Sequence, residues 1–397
     1  MTILSFVFFL FAMIPFGYLY LQAIASVRGA ADVLVRSQPT TRFVITLPAH
    51  DEEAVIGATV QRLRNLDYPA NLFTVHIVAD HCADGTAVAA REAGAIVHER
   101  NEGPRTGKGA ALTWLFQRVL ADDTCDAVII FDADTRVDAQ FLRIMDARLA
   151  QGDPVIQGQH IISNPDAGWF PALTWAMFLV DNRFQNLGRD SLGWSAKHMG
   201  DSICFRADIL RRAGWGAGLT EDYQLRQRLL LDGIRIRYEP AAIGRGEAAL
   251  TWAQARAQRA RWLRGTHDAS QQFARSLWQE GLKRKDSALL DGALQAYFPS
   301  FSTLTMLTML FLLVQIIINV FVENGISWPM VTAWGVIAFA LFIYPLIGLA
   351  LEKAPLKAYI VMLSGPLFVV WRTWLAVSSR FGKKDVVWVR TAHGGSQ

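Results

Sequence analysis

Long apolar segments lie at both ends of the chain, and charged residues are concentrated between them. The run Ile3–Val27 carries no charge, and apolar stretches recur from Phe298 onward. A helix of about 20 apolar residues is long enough to cross a bilayer. The pattern therefore predicts an N-terminal transmembrane helix in 1–30, a soluble domain in 40–275 and further membrane helices in 300–380.

Within the soluble domain, short apolar runs alternate with amphipathic helices. Arg42–Leu47, Thr74–Ala79 and Ala95–His98 are predicted strands, and each is followed by a polar loop. A fourth strand, Val128–Phe131, is apolar throughout, which is typical of a strand buried on both faces of a parallel sheet. Strands that alternate with helices predict a single α/β domain with a mainly parallel sheet and right-handed crossovers.

Two carboxylates separated by one residue, Asp132 and Asp134, follow the fourth strand. In open α/β sheets, ligands bind at the carboxyl ends of the strands. Hard oxygen ligands at that edge suit Mg²⁺ or Mn²⁺ carrying a substrate diphosphate. Because an Asp-x-Asp sequence is also common in turns and helix caps, the tripeptide alone leaves the metal role open.

The other polar loops add charged residues to the same edge of the predicted sheet. Asp51 and Glu52 follow the first strand, Asp80 ends the second, and Lys108 opens the helix before the fourth. Together they are typical of a nucleotide-diphosphate site, although each alone is equally well explained as a turn or helix cap. The spacing matches neither a Walker A loop nor a glycine-rich dinucleotide motif.

The composition is that of a membrane protein in a reducing compartment. Hydrophobic residues make up 52% of the chain, and its three cysteines are scattered, so no disulfide framework is indicated. Basic residues are concentrated between Arg206 and Lys285, but acids are interleaved and an apolar segment follows. We therefore expect membrane lipid and a diphosphate substrate as partners, and no nucleic acid.

Charges beside the apolar segments predict the orientation of the soluble domain. No charged residue precedes the first apolar run, whereas Arg28, Arg36 and Arg42 follow it. The positive-inside rule then places the soluble domain in the cytoplasm, behind an uncleaved anchor rather than a signal peptide. We expect a multi-pass protein of the inner (cytoplasmic) membrane with a cytosolic catalytic domain.

The segments after the soluble domain predict an interfacial helix and an incomplete last span. The segment 283–299 is apolar-biased but includes Asp291, which suits an interfacial helix. In 300–380, Ser364-Gly365-Pro366 interrupts the last apolar stretch. We expect that stretch to be re-entrant or interfacial, which leaves 381–397 as a cytosolic C-terminal segment.

Six motifs occur in order along the soluble domain: Pro48–Glu53, Asp80–Thr86, Lys108–Leu112, Asp132–Asp134, Thr220–Asp222 and Gln258–Trp262. Together they resemble the motifs of membrane-bound family-2 inverting glycosyltransferases of the cellulose, hyaluronan and poly-N-acetylglucosamine synthase type. In that group Gln-x-x-Arg-Trp is the distinguishing motif. The resemblance covers 40–275 and extends to the flanking helices; it implies a nucleotide-diphospho-sugar domain of the GT-A type.

The resemblance also implies the donor site. The uridine of a UDP-sugar would be held by five residues: Pro48, His50, Asp51, Glu52 and Asp80. Lys108 would bind the diphosphate, Asp132 the diphosphate and donor sugar, and Asp134 with Asp132 the Mg²⁺ or Mn²⁺. Asp51 stands where the family usually has Asn.

The remaining roles concern the base and the acceptor. Asp222 would be the general base with Glu221 beside it, and Thr220 is placed to cap their helix, although acids in a first helical turn are also ordinary. The resemblance implies an acceptor and diphosphate region formed by Gln258, Arg259, Arg261 and Trp262, with Asp201 and Ser202 near the acceptor sugar, and a gating segment with Trp388 and Thr391. A solvated basic helix is the alternative for Gln258–Trp262.

These features predict inverting, metal-dependent transfer of a sugar from a UDP-sugar to a growing β-linked polysaccharide at the inner face of the membrane. Such a reaction needs a base for the acceptor hydroxyl and cations for the leaving diphosphate. One alternative is single addition to a polyprenyl-phosphate or glycolipid acceptor. Another is a non-catalytic membrane assembly subunit, against which the retention of Asp132, Asp134 and Asp222 argues. A polysaccharide synthase would also have accessory export proteins as possible partners.

Overall fold

The computed structural model describes residues 2–216, 220–321 and 328–381. Within these ranges, eight strands form one sheet in the order β3-β2-β1-β4-β7-β6-β8-β5. The strands are β1 (Phe43–Ala49), β2 (Phe73–Asp80), β3 (Ile96–Arg100), β4 (Ala127–Ile130), β5 (Arg136–Val137), β6 (Val155–Ile162), β7 (Ile203–Arg206) and β8 (Arg237–Gly246). The predicted α/β fold is confirmed, since four of the seven strand pairings are parallel.

The direction of each strand determines which loops meet. Strand β1 runs parallel to β2 and β4, and β6 runs parallel to β8. Between these two groups β7 is antiparallel to both β4 and β6. The carboxyl ends of β1, β2, β4, β6 and β8 therefore share one edge of the sheet with the amino end of β7.

Helices cover both faces of this sheet. The first nine are α1 (Thr2–Ala25), α2 (Glu53–Arg64), α3 (Thr86–Glu92), α4 (Lys108–Val119), α5 (Phe141–Ala150), α6 (Trp169–Asp181), α7 (Gly188–Ser191), α8 (Ala207–Ala213) and α9 (Glu221–Leu231). Alternate residues of β4 face opposite layers: Ile129 packs with Ile56 of α2, whereas Val128 and Ile130 pack with Leu112 of α4. Burial on both faces explains why the strand is apolar without alternation.

The remaining helices are one long helix, α10, and five helices that follow it. They are α10 (Trp252–Arg284), α11 (Ser287–Tyr297), α12 (Phe301–Phe321), α13 (Trp328–Leu351), α14 (Leu356–Met362) and α15 (Gly365–Phe381). In the described part of the chain, three helices are long and apolar enough to cross a membrane: Ser5–Arg28, Phe301–Phe321 and Trp328–Leu351.

A fourth apolar segment is bent by 52° between Leu356–Met362 and Gly365–Leu375, so the chain has three or four helices that could span a membrane. The bend coincides with the predicted interruption at Ser364-Gly365-Pro366. Whether this pair crosses or re-enters stays a prediction. The predicted cytosolic segment begins at Phe381, the last residue of α15, and its other residues lie outside the described ranges.

A buried carboxylate joins four of these helices. Asp291 of α11 accepts hydrogen bonds from Tyr18 of α1 at 2.5 Å, Arg189 of α7 at 3.2 Å and Arg226 of α9 at 3.3 Å. All three charged side chains are about 1% exposed. A buried acid shared by two guanidinium groups fixes the first helix and α11 to the helix that begins with Glu221 and Asp222.

Removing this carboxylate is expected to destabilise the protein strongly. Asp291→Ala leaves two guanidinium groups buried without their shared partner, and breaking such a buried pair costs about 3–5 kcal/mol. We expect a clear drop in the thermal unfolding midpoint of the purified protein in detergent. Asp123→Ala is the control, because that carboxylate is 95% exposed and its pair with Arg211 contributes little. Equal midpoints for the two variants would contradict the structural role of Asp291.

Candidate functional site

The loops after β1 and β2 are joined by hydrogen bonds at the carboxyl edge of the sheet. His50 Nδ1 lies 2.7 Å from the carbonyl oxygen of Asp80, and the backbone N–H of Glu52 donates to Thr86 Oγ1 at 2.7 Å. The Asp80 carboxylate is buried and accepts from the guanidinium of Arg100 at the end of β3. The structure thus brings together the residues proposed for the nucleoside, and Pro48 lies in β1 beside them.

The loop after β4 is linked to α4 and to the segment before β7. The ammonium group of Lys108 donates to Asp132 and, at 2.6 Å, to the carbonyl oxygen of Gly200. Burial lowers the pKa of Lys108, but the carboxylates of Asp132, Asp201 and Glu221 outweigh it and raise that pKa. The carboxylates therefore keep Lys108 charged, and a fixed positive charge is what a bound diphosphate needs.

Asp201 binds the loop after β4 through hydrogen bonds. Its carboxylate is 1% exposed and accepts from the backbone N–H of Asp132 at 3.0 Å and from Thr135 at 3.2 Å. The other oxygen lies 2.7 Å from His160 Nδ1 and accepts from Ser202 at 3.1 Å. Asp201 is thus buried next to the loop after β4, with Ser202 beside it. Direct contact of either residue with an acceptor stays a prediction.

Asp132 and Asp134 follow β4 and carry carboxylate oxygen atoms, the kind of ligand that Mg²⁺ and Mn²⁺ prefer. Asp134 Oδ2 accepts from the backbone N–H of Glu247 at 3.3 Å, whereas Asp132 faces Lys108. Burial lowers the pKa of His160, yet Asp201, Asp132 and Asp134 outweigh it and raise that pKa. This concentration of negative charge and hard oxygen ligands suits Mg²⁺ or Mn²⁺.

The carboxylate pair Glu221–Asp222 opens α9 next to this region. A Cβ atom built on Gly200 would lie 3.2 Å from Asp222 Oδ2, and one built on Gly109 would lie 3.0 Å from Glu221 Cγ. Burial raises the pKa of Asp222, and burial together with the charge of Asp222 raises the pKa of Glu221 to about 7. Asp222 therefore lies against Gly200, whose carbonyl oxygen binds Lys108, and Glu221 lies against Gly109, the residue after Lys108.

The expected cap of α9 is not formed by Thr220. Among the residues that the structure describes, its Oγ1 has no hydrogen-bond partner. The side chain instead packs against α10, where a Cβ atom on Gly265 would lie 2.5 Å from Thr220 Cγ2. Asp222 Oδ1 accepts a hydrogen bond from the backbone N–H of Tyr223 at 2.8 Å. A carboxylate of α9 itself therefore satisfies one backbone donor in the first turn of the helix.

The two arginines of the Gln258–Trp262 motif point to different places. The charge of Arg261 lowers the pKa of both Glu221 and Asp222, so it lies near the carboxylate pair. Arg259 is 8% exposed, and its guanidinium lies over the rings of Phe170 and Phe368 at 5.3 and 4.8 Å. The structure therefore places Arg261, but not Arg259, beside the carboxylates.

Other parts of the predicted site are partly buried or lie outside the described residues. Gln258 and Trp262 are half-buried on α10. The proposed gating residues Trp388 and Thr391 lie outside the described residues.

Sequence reasoning missed two residues that the structure brings to this edge. Arg100 pairs with Asp80, and His160 contacts Asp201. Arg100 ends β3 and His160 lies two residues before the end of β6, but neither residue belongs to a motif.

Comparisons with known proteins show the family of this chain. The model of the family described as Glycosyltransferase like family 2 matches residues 39–265, more than half of the chain. The chain is 25% identical to the "Probable glycosyltransferase YdaM" of Bacillus subtilis over 385 residues, covering 87% of this chain and 86% of that protein.

A second relative matches a little more than half of the chain. The chain is 29% identical to the beta-monoglucosyldiacylglycerol synthase of Synechocystis sp. over 238 residues, 57% of this chain, and spans about half (48%) of that protein. A similar synthase of Trichormus variabilis is 30% identical over 56% of this chain and 48% of its own length.

The fold is also found in a solved structure. A mannosyltransferase from Pyrobaculum calidifontis, solved in complex with GDP-Man and Mn²⁺, is similar with a TM-score of 0.57 over 96% of both chains at 16% identity. At that identity the similarity shows the fold alone, a GT-A-like domain with attached apolar helices. With the family model covering residues 39–265, the chain belongs to glycosyltransferase family 2 and is a glycosyltransferase that uses nucleotide sugars.

Proposed function

We propose that this protein transfers a sugar, with inversion and with a divalent metal, from a nucleoside-diphospho-sugar to a lipid-linked acceptor at the membrane surface. One observation carries the proposal: Asp222 lies against Gly200, whose carbonyl oxygen binds Lys108, which in turn pairs with Asp132. The potential base Asp222 and the proposed diphosphate-binding residue Lys108 are thus separated by Gly200 alone.

The chemistry of inverting transfer accounts for this arrangement. Asp222 would take the proton of the acceptor hydroxyl while the diphosphate leaves from the opposite face of the sugar. Lys108 would neutralise charge on the leaving diphosphate. Asp132 and Asp134 would hold Mg²⁺ or Mn²⁺, which supplies Lewis-acid stabilisation of the same charge. Burial, which raises the pKa of Asp222, makes its carboxylate a stronger base.

The proposed nucleoside end lies at the other loops. His50, Asp51 and Glu52 follow β1, and Asp80 ends β2, so they would contact the base and ribose of the donor. A UDP-sugar is our proposed donor. The carboxylates offer acceptors for ribose hydroxyls, as in other nucleotide sites at the carboxyl edge of a parallel sheet.

A lipid acceptor is supported by aromatic side chains where α6, α10 and α15 meet. The Trp252 ring lies 5.5 Å from Trp169 and 5.1 Å from Trp371, and Trp252 and Trp169 are 51% and 37% exposed. Tryptophan is enriched where apolar and polar surroundings meet. Helix α10 leads from this cluster to Arg261, whose charge lowers the pKa of the carboxylate pair. The synthases that match 56–57% of this chain are named for a diacylglycerol product.

Extension of a β-linked polysaccharide is a second candidate. Its support is the Gln258–Trp262 motif, whose Arg261 lowers the pKa of both Glu221 and Asp222 through its charge. In this case Trp262 would offer a ring for stacking with an acceptor sugar. Accessory export proteins would be partners only if the protein extends a polysaccharide.

Product size separates the two candidates. The purified protein in lipid nanodiscs is incubated with Mn²⁺ and a panel of radiolabelled UDP- and GDP-sugars, and both release of nucleoside diphosphate and labelled products are followed. We expect one donor to be used and one sugar to be added to a lipid that partitions into organic solvent. A ladder of lengthening glycan would instead support the polysaccharide candidate. No release from any donor would contradict both.

The base role predicts a selective effect of Asp222→Asn. The amide keeps the size of the side chain but cannot take a proton, so turnover should fall about 10²–10⁴-fold while donor affinity stays unchanged. Asp232→Asn is the matched control, because Asp232 is exposed at the other end of the same helix. Isothermal titration with the donor and initial rates measure the two effects. Wild-type turnover in Asp222→Asn would assign the base to another group.

The raised pKa of Glu221 predicts a stability that depends on pH. The folded protein keeps the proton of Glu221 up to about pH 7, whereas an unfolded chain loses it near 4.5. The stability from this proton is therefore complete below pH 4.5 and lost as the pH rises through 7, an effect of about 3 kcal/mol.

Glu221→Gln should accordingly raise the unfolding midpoint at pH 8 and have a much smaller effect at pH 5, since the glutamine is never ionised. Differential scanning measurements of both proteins at the two pH values test this. Glu92→Gln, at an exposed position of α3, should show no such pH dependence. An identical gain at pH 5 and pH 8 would mean that Glu221 titrates normally.

A further inference from the structure

A second group of potential metal ligands lies at the nucleoside end of the site. Among the described residues, His50, Asp51 and Cys82 offer one nitrogen, one oxygen and one sulfur atom that all lie within 4.8 Å of one another. They come from the loops after β1 and β2, whereas Asp132 and Asp134 follow β4. The donor atoms also differ in kind, because a thiol and an imidazole are softer ligands than two carboxylates.

A backbone carbonyl orients the imidazole of this group. His50 Nδ1 lies 2.7 Å from the carbonyl oxygen of Asp80, and a carbonyl only accepts, so Nδ1 carries the proton of this hydrogen bond. The other nitrogen, Nε2, lies 3.4 Å from Asp51 Oδ2. Metal-binding histidines in proteins are held in this way, with the second ring nitrogen donating to a carbonyl or carboxylate.

The other two side chains are also positioned by the backbone. Asp51 has a φ of 54°, an uncommon conformation for a residue with a side chain, and its Oδ1 accepts from the N–H of Ala83 at 2.7 Å. This bond turns Oδ2 towards His50. Cys82, the residue before Ala83, has its sulfur 3.6 Å from the carbonyl oxygen of Ala49. The three ligand atoms thus converge through contacts between two adjacent loops.

The spacing of these atoms suits a tetrahedral metal ion. Bonds of about 2.0–2.3 Å in a tetrahedral zinc site place neighbouring ligand atoms about 3.4 Å apart. The separation of His50 Nε2 and Asp51 Oδ2 already has this value, and the three ligand atoms all lie within 4.8 Å of one another. Three protein ligands leave one coordination position for water.

We propose that His50, Asp51 and Cys82 form a binding site for a borderline-soft divalent metal of the Zn²⁺ type, and that metal bound there opposes binding of the donor nucleoside. The second part rests on the proposed function, which assigns His50 and Asp51 to the nucleoside. The sulfur–metal bond forms as the Cys82 thiol releases its proton to solvent. The site would make the enzyme sensitive to zinc while it requires Mg²⁺ or Mn²⁺ at Asp134.

Cobalt is a suitable probe, because thiolate ligation of Co²⁺ gives a ligand-to-metal charge-transfer band. The full-length protein, freed of metal and kept reduced in detergent, is titrated with Co²⁺ and then with Zn²⁺. We expect a charge-transfer band that Zn²⁺ abolishes and that Cys82→Ser lacks. Cys125→Ser is the matched control and should keep the band, because Cys125 lies buried before β4. His50→Gln should weaken Co²⁺ binding by about 10-fold or more, since even outer-shell partners of metal ligands contribute that much.

Competition with the nucleotide is measured with free Co²⁺ held constant by a metal buffer, because diphosphates chelate metals themselves. We expect a nucleoside diphosphate to reduce the charge-transfer band; an unchanged band would overturn the competition. A band retained in Cys82→Ser, or none in the wild type, would overturn the metal site and leave His50 and Asp51 as an ordinary ion pair. Because the band needs no catalysis, a protein that binds Co²⁺ but transfers no sugar would refute the proposed function and not the metal site.

Discussion

The antiparallel placement of β7 between β4 and β6 is the constraint on which the site depends. Because β7 runs against β4, with Ile130 paired to Ile203, the residues just before β7 lie beside the residues just after β4. Asp201 can then accept from the N–H of Asp132, and Gly200 can bind Lys108. With β7 parallel to β4, these groups would lie at the opposite edge of the sheet.

The same constraint explains what sequence patterns could and could not predict. Strands β1, β2 and β4 are apolar runs followed by polar loops, so local pattern was sufficient to predict them and the edge that their loops share. Strands β6 and β8 mix polar and apolar residues, as in Gln157-Gly158-Gln159-His160, and β8 includes Pro240. Their pairing joins residues about 80 apart along the chain, which periodicity does not encode. The role of His160 was missed because it belongs to no motif and its partner Asp201 lies 41 residues further along the chain.

Helical geometry predicted only part of the arrangement of the Gln258–Trp262 motif on α10. Arg259 and Arg261 are two residues apart and must point in different directions around a helix. Which of them faces the carboxylates depends on how α10 packs against α6, α9 and α15, which the motif does not contain. Arg259 is used instead as a buried cation between aromatic rings, where burial lowers its pKa to about 9.

The hydrogen bond between Tyr18 and Asp291 joins residues that are 273 positions apart. During synthesis at about 5–20 residues per second, the first helix would therefore wait roughly 14–55 s until its partner residue on α11 is synthesised. The sheet, which ends at Gly246, is complete in sequence before that moment. The soluble domain thus has time to fold beside a helix that has not yet docked, and the buried charge cluster closes only after all strands of the sheet have been synthesised.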